Sequence, residues 1–171
     1  MSCSHSAMQA AITPSDIWTA LADVTDPEIP RLSVVDLGIV TNVQVTHEGS
    51  VSITITPTFA GCPAIQYMQD AIRERIRQLP VRSVDVQVSF DQPWNSNNIT
   101  ERGRAILEES GFAPPPKHNG YIELPLLEYV TCPYCGSTDT SLQTPFGPTL
   151  CRSIHYCHAC SQAFEQFKPL A

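Results

Sequence analysis

A chain of 171 residues with 42% hydrophobic side chains is long enough for one ordinary domain plus a small module, and too apolar for a disordered tail. Its formal charge of −7 excludes a nucleic-acid partner, because phosphate binding needs clustered Lys and Arg. No apolar run approaches the roughly 18–20 residues that span a bilayer, and the first residues lack the basic start and apolar core of a signal peptide, so a cytoplasmic location without a membrane partner is expected.

Residues 1–13 show no periodicity and are expected to form a flexible arm, in which Cys3 and His5 are assigned no role. Pro14-Ser15-Asp16 predicts a helix start with Ser15 or Asp16 as its cap, and Ile17, Leu21 and Val24 recur at helical spacing. Asp26-Pro27-Glu28-Ile29-Pro30 stops that helix, since neither proline can continue it, and leaves a stiff loop bearing two carboxylates. An apolar run over residues 32–40 surrounds Asp36, read as a turn residue whose side chain bonds the backbone. Residues 40–47 and 51–56 alternate on either side of Glu48-Gly49 and predict a β-hairpin. Then Ile65, Met68, Ile72, Ile76 and Leu79 mark one stripe of an amphipathic helix that Pro80 ends. Residues 81–90 alternate as a third strand, and residues 99–112 predict a last helix, capped by Asn98 or Thr100 and closed by Gly111.

The order αββαβα over residues 14–113 predicts an α+β domain, with a three-stranded sheet and helices on one face. Pro114-Pro115-Pro116 separates it from residues 118–171, a β-rich second module holding five of the seven cysteines. An odd cysteine count without an export signal favours metal ligands or reactive thiols over disulfides.

Cys132-Pro133-Tyr134-Cys135 and Cys157-His158-Ala159-Cys160 are two CxxC pairs joined by residues 136–156. Each pair makes a tight turn that points two sulfurs at one ion, and together they predict a closed four-thiolate ribbon with metal–sulfur bonds of about 2.3 Å. Pro145-Phe146-Gly147-Pro148 is placed to turn the hairpin between them. Four thiolates suit zinc, and also a single iron or an iron–sulfur cluster. A closed site leaves no position for substrate, so its role is structural and the metal supplies much of the module's folding energy. Cys151, His155 and His158 lie among these ligands as bystanders; Cys151 reads as a packed thiol, and becomes an alternative ligand if the ribbon holds a cluster.

Cys62 stands between Gly61 and Pro63, where the second strand gives way to the amphipathic helix. Backbone N–H groups and the positive end of the helix dipole lower a thiol's pKa in that position, which points to a thiolate that attacks carbon, binds iron or exchanges disulfides. Packing as a small apolar residue under the helix is an equal reading. A nucleophile needs a base, and His47 and His118 are the histidines on hand outside the metal module; metal handling needs thiolate and a carboxylate such as Asp26 or Glu28.

Three blocks carry a resemblance: Asp26-Pro27-Glu28-Ile29-Pro30, Leu32-Ser33-Val34-Val35-Asp36-Leu37-Gly38-Ile39-Val40 and Thr56-Pro57-Thr58-Phe59-Ala60-Gly61-Cys62-Pro63-Ala64. They resemble the SufT-type iron–sulfur assembly domain, which implies that Cys62 acts in cluster or iron transfer with Asp26 and Glu28 nearby. Phe90-Asp91-Gln92-Pro93-Trp94, Ile99-Thr100-Glu101-Arg102-Gly103-Arg104, Phe164-Glu165-Gln166-Phe167-Lys168 and the CxxC pairs resemble the PaaD family of accessory subunits in phenylacetyl-CoA epoxidase systems. That resemblance implies a part in aerobic phenylacetate catabolism, and the reductase and oxygenase components as partners. It also implies transient iron or an iron–sulfur cluster as cargo beside a zinc ribbon. Paired Glu-x-x-His motifs for a di-iron site and a glycine-rich dinucleotide fingerprint are both missing from the sequence, so no catalytic residue is assigned. The competing reading is an adaptor whose ribbon stabilises the multi-component complex without cluster chemistry.

Overall fold

The structure, a computed structural model, describes residues 11–122 and 125–170, so Cys3, His5 and most of the proposed arm lie outside the described residues. Helix α1 spans Pro14–Leu21, and its cap is Thr13 rather than Ser15 or Asp16. Thr13 and Asp16 form a capping box: the Asp16 N–H donates to Thr13 Oγ1 at 3.3 Å and the Thr13 N–H to Asp16 Oδ2 at 2.8 Å. Pro14 takes the first helical position, where its missing N–H costs nothing.

Strands β1 (Val40–Val45) and β2 (Ser50–Ile55) make the expected antiparallel hairpin, and helix α2 (Ile65–Arg77) crosses over to β3 (Ser83–Val88). Because that connection is a crossover, β3 lies parallel to β2 and the sheet order is β1-β2-β3. Val51, Ile53, Ile55 and Val86 are buried on one face, in a core shared with Ile17, Leu21, Met68 and Ile72 of the two helices. Asn42, Gln44, Asp85 and Gln87 point away from that core, as period-two alternation requires of a sheet covered on one side.

A 3-10 turn at Ser96–Asn98 leads to α3 (Glu101–Glu109), capped by Thr100, whose side chain accepts from the Gly103 N–H at 2.9 Å. This helix ends at Glu109, short of the expected residue 112, and Phe112–Ala113 instead forms strand β4. Asp36 is buried and accepts from Ser33 Oγ at 2.7 Å and Thr100 Oγ1 at 2.9 Å, so its carboxylate serves side chains rather than the backbone of its own turn. The contact admits only glycine at position 103, where a Cβ would sit 2.7 Å from the Asp36 carbonyl oxygen.

The second module begins with a single helical turn, α4 (Pro125–Glu128), followed by strands β5 (Thr140–Thr144), β6 (Arg152–Cys157) and β7 (Gln162–Phe167). These strands are antiparallel, and β4 adds in parallel at the edge of β7, giving the order β4-β7-β6-β5. Its own buried cluster is small: Ala113, Val130, Cys132, Cys157 and Phe164. Stability therefore also has to come from the first domain. Phe167 and Cys151 belong to the main core, and the Phe167 ring lies 5.9 Å from that of Trp94, whose indole N–H donates to the Leu37 carbonyl at 3.0 Å. Burying a side chain of that size contributes roughly 2–3 kcal/mol. Beyond β7 the chain returns to the 3-10 turn: the Ser96 N–H donates to the Leu170 carbonyl at 2.8 Å, and the Leu170 N–H to Ser96 Oγ at 3.1 Å. Among the described residues no helix is long and apolar enough to cross a membrane.

Candidate metal and thiol sites

The two CxxC segments fold into turns that face one another. At the first, the Gly136 N–H donates to the Cys132 carbonyl at 2.9 Å, and Gly136 takes φ +73°, a value that favours glycine. The second follows β6 and closes through Ser161 before β7. Sulfur–sulfur distances are 3.7 Å for Cys132–Cys160 and 3.6 Å for Cys135–Cys157, and all four sulfurs lie within 4.8 Å of one another. A tetrahedron with bonds of about 2.3 Å has edges of about 3.8 Å, so these residues fit zinc. The protonated set is uneven: N–H groups led by that of Cys160 draw the Cys157 thiol down to about 7, while burial and the neighbouring sulfurs push Cys160 up to about 12. A zinc ion bound there would hold all four as thiolates and join the two turns.

The neighbouring histidines stay out of this set. His158 Nε2 pairs with Ser141 Oγ at 3.0 Å; His155 is buried, paired with Ser153 Oγ at 3.0 Å and stacked on Phe164 at 5.5 Å. Cys151 is also outside the four-sulfur group.

Cys151 lies instead at a second place, a cavity of about 30 Å³ between the two modules. That is room for one or two waters. Asp26, Glu28 and Cys62 line it from the first domain, and Thr149, Cys151 and Arg152 from the ribbon. Asp26 Oδ1 accepts from the N–H groups of Glu28 at 2.8 Å and Ile29 at 3.0 Å, so the stiff loop fixes its carboxylate. Glu28 reaches Arg152 at 2.5 Å, and Arg152 also reaches Glu165 at 3.1 Å. The Arg152 side chain is only 8% exposed, with its guanidinium 4.8 Å over the Phe112 ring. A buried cation with two acids and an aromatic face is a clamp between the modules.

The expected lowering of the Cys62 pKa is overturned. Burial pushes this thiol up, and repulsion from Cys151 and Asp26 adds to the rise. The N–H groups of Ala64 and Ile65 do bond its sulfur and favour thiolate, as a helix start should, but they are outweighed. Burial likewise pushes the Cys151 thiol up, against a 3.1 Å contact with Thr149 Oγ1 and the nearby Arg152 charge. Both are neutral thiols near pH 7. Among the described residues no histidine lines the cavity: His118 is bound to Ser96 Oγ at 3.2 Å and the Leu170 carbonyl at 3.0 Å, and His47 sits by the β1–β2 turn. Sequence reasoning placed Cys62 with Asp26 and Glu28, and the structure brings those three to one cavity; it read Cys151 as a packed thiol, which its burial bears out, and missed that Cys151 and Arg152 line the same cavity. Their signal was a fifth ribbon cysteine outside either CxxC pair, next to an arginine at the start of a strand.

Two family models match the chain: an iron–sulfur cluster assembly protein over residues 14–89, and a PaaD zinc beta ribbon domain over residues 125–168. A putative 1,2-phenylacetyl-CoA epoxidase component from Escherichia coli K12 is 39% identical over 153 residues, covering 90% of this chain and 91% of that protein. An Fe-S protein maturation auxiliary factor from Porphyromonas gingivalis is 36% identical, covering 56% of this chain and 90% of that protein. Among solved structures, a domain of unknown function from Bacillus anthracis superposes with a TM-score of 0.52 at 25% identity, covering 55% of this chain and 90% of that one.

Proposed function

The chain belongs to the PaaD family of phenylacetyl-CoA epoxidase components, and on that premise we propose that it is an accessory maturation protein that assists iron–sulfur cluster assembly or delivery to the reductase component. The observation that carries this reading is the contrast between its two groups of thiols. The four ribbon sulfurs close on one another, whereas Cys62 meets Asp26 and Glu28 in a cavity at a module junction. In this reading Cys62, Asp26 and Glu28 receive iron or a cluster as cargo and pass it on. Residues 14–113 are the assembly domain. Residues 118–171 are the zinc ribbon, held by Cys132, Cys135, Cys157 and Cys160, and dock the reductase and oxygenase components. A thiol kept neutral by burial suits this work, because a metal displaces its proton and adventitious electrophiles do not.

The test is Cys62→Ser in cells that co-produce the reductase. The expected result is unchanged zinc content and thermal midpoint in the variant, with lowered iron and sulfide per reductase. A reductase with its full cluster content would remove the delivery role and favour the adaptor reading.

A further inference from the structure

The metal centre and the contacts with the first domain lie at opposite ends of one hairpin. Cys157 ends β6 and Cys160 stands in the turn to β7, whereas Arg152 and Phe167 are paired in register at the other end. Five residues of strand separate Arg152 from Cys157, about 17 Å. At that far end Arg152 holds Glu28 of the first domain at 2.5 Å, Phe167 packs on Trp94, and both line the cavity that Cys62 borders. Cys151 and Phe167 are buried in the first domain's core, and Cys62 packs against that same core. The cavity has room for one or two waters, so neither a cluster nor another protein's thiol reaches Cys62 through it while the ribbon is seated. The Porphyromonas gingivalis factor, matched over 90% of its own length, accounts for 56% of this chain, which leaves it no room for a second module of this size. We propose that the ribbon is an autoinhibitory cover over Cys62, kept shut by the Arg152–Phe167 end of its hairpin, and that Cys62 gains full access only when that end lifts. What the cover protects rests on the delivery role proposed above; the cover itself rests on the contacts.

Those contacts suit a cover that opens without unfolding the domain beneath it. Arg152 joins the modules through charge, and its partner Glu28 is 45% exposed, so water takes over that carboxylate as the pair separates. A packed module of this kind opens locally at a lower free energy than the whole chain unfolds. The cover is partial, since Cys62 keeps intermediate exposure, and opening therefore speeds its reactions rather than starting them from nothing. Zinc at the turn end steadies the same two strands, so loss of the metal also frees the clamp end.

The experiment uses the full-length, zinc-loaded chain and follows modification of each cysteine by iodoacetamide, resolved by peptide mass spectrometry well below the thermal midpoint. Cys62 and Cys151 are expected to react slowly in the wild type and quickly in urea. Phe167→Ala and Arg152→Ala should each speed both thiols by at least about tenfold, with zinc retained and β1–β3 amide exchange unchanged. Glu109→Gln, which breaks only the exposed pair with Arg31, should leave both rates alone. Chelation of zinc from the wild type should act as the clamp variants do, and supplies the test if either variant fails to fold. A Cys62 that reacts in the zinc-loaded wild type as fast as in urea is uncovered, and the proposal fails. It fails as well if Cys151 accelerates while Cys62 does not, if neither thiol accelerates in any arm, or if Cys62 accelerates only together with β1–β3 exchange. None of these readouts involves the reductase, so the delivery role stands or falls separately, on the reductase's cluster content beside Cys62→Ser.

Discussion

The two thiol regions of this molecule are built on opposite logic. In the ribbon, short turns bring four sulfurs within 4.8 Å, so that the chain's local geometry defines the site. At the junction, Cys62 and Cys151 line one cavity because two modules pack, and burial pushes both thiols up. The difference teaches that sulfur count alone does not assign a role. A set closed by its own turns is structural; a pair set across a packed interface depends on that interface, and changes with it.

The contrast breaks most visibly when zinc is removed. Chelation, or Cys132→Ser, should abolish the β5–β7 protection pattern in amide exchange while leaving β1–β3 protected. A ribbon that kept its strands without metal would contradict the closed-site reading. Next in size, Phe167→Ala attacks the interface from the other side. It should cost about 3–5 kcal/mol and lower the thermal midpoint by about 10 °C, with zinc content unchanged. A smaller effect is expected of the double variant Glu28→Gln with Glu165→Gln, which leaves Arg152 buried without its acids. Denaturant unfolding should show a loss of about 2–3 kcal/mol, less than for a fully buried pair because both carboxylates keep some contact with water.

The smallest effect separates the two regions by pH. Folding raises the Cys62 and Cys151 thiols above their ordinary value of 9.0, so near that pH the unfolded chain loses protons that the folded chain keeps. Their contribution to stability is fully present below about pH 9 and declines as pH rises through the folded values. Urea unfolding of the zinc-loaded chain between about pH 7 and 10 should show that decline, and the Cys62→Ser, Cys151→Ser double variant should flatten it. An unchanged slope would place the titrating thiols elsewhere.

Much of this was legible in the sequence, because it is local. The hairpin, the α2 stripe and the third strand follow from periodicity, and the ribbon follows from two spaced cysteine pairs. Even the misplaced helix cap had a local signature in Thr13 and Asp16, which Pro14 obscured by drawing attention to the residues after it. Asp36 was read as a turn residue, yet its partner Thr100 is distant in the chain and no local rule connects them. The same holds for Cys62: the helix start was readable and its N–H groups do bond the sulfur, but the stronger influence, burial beneath a second module, was not. Cys151 and Arg152 could not be connected to Cys62 and Glu28 by any pattern of period two or 3.6.

The return of the chain from β7 to Ser96 has a kinetic consequence. With β4 at one end and Leu170 at the other, the ribbon is anchored twice to the first domain, and Cys151 faces Cys62 as an intramolecular neighbour. Its effective concentration is set by those anchors and does not fall on dilution. Whatever Cys62 binds therefore lies beside the Cys151 thiol at every protein concentration.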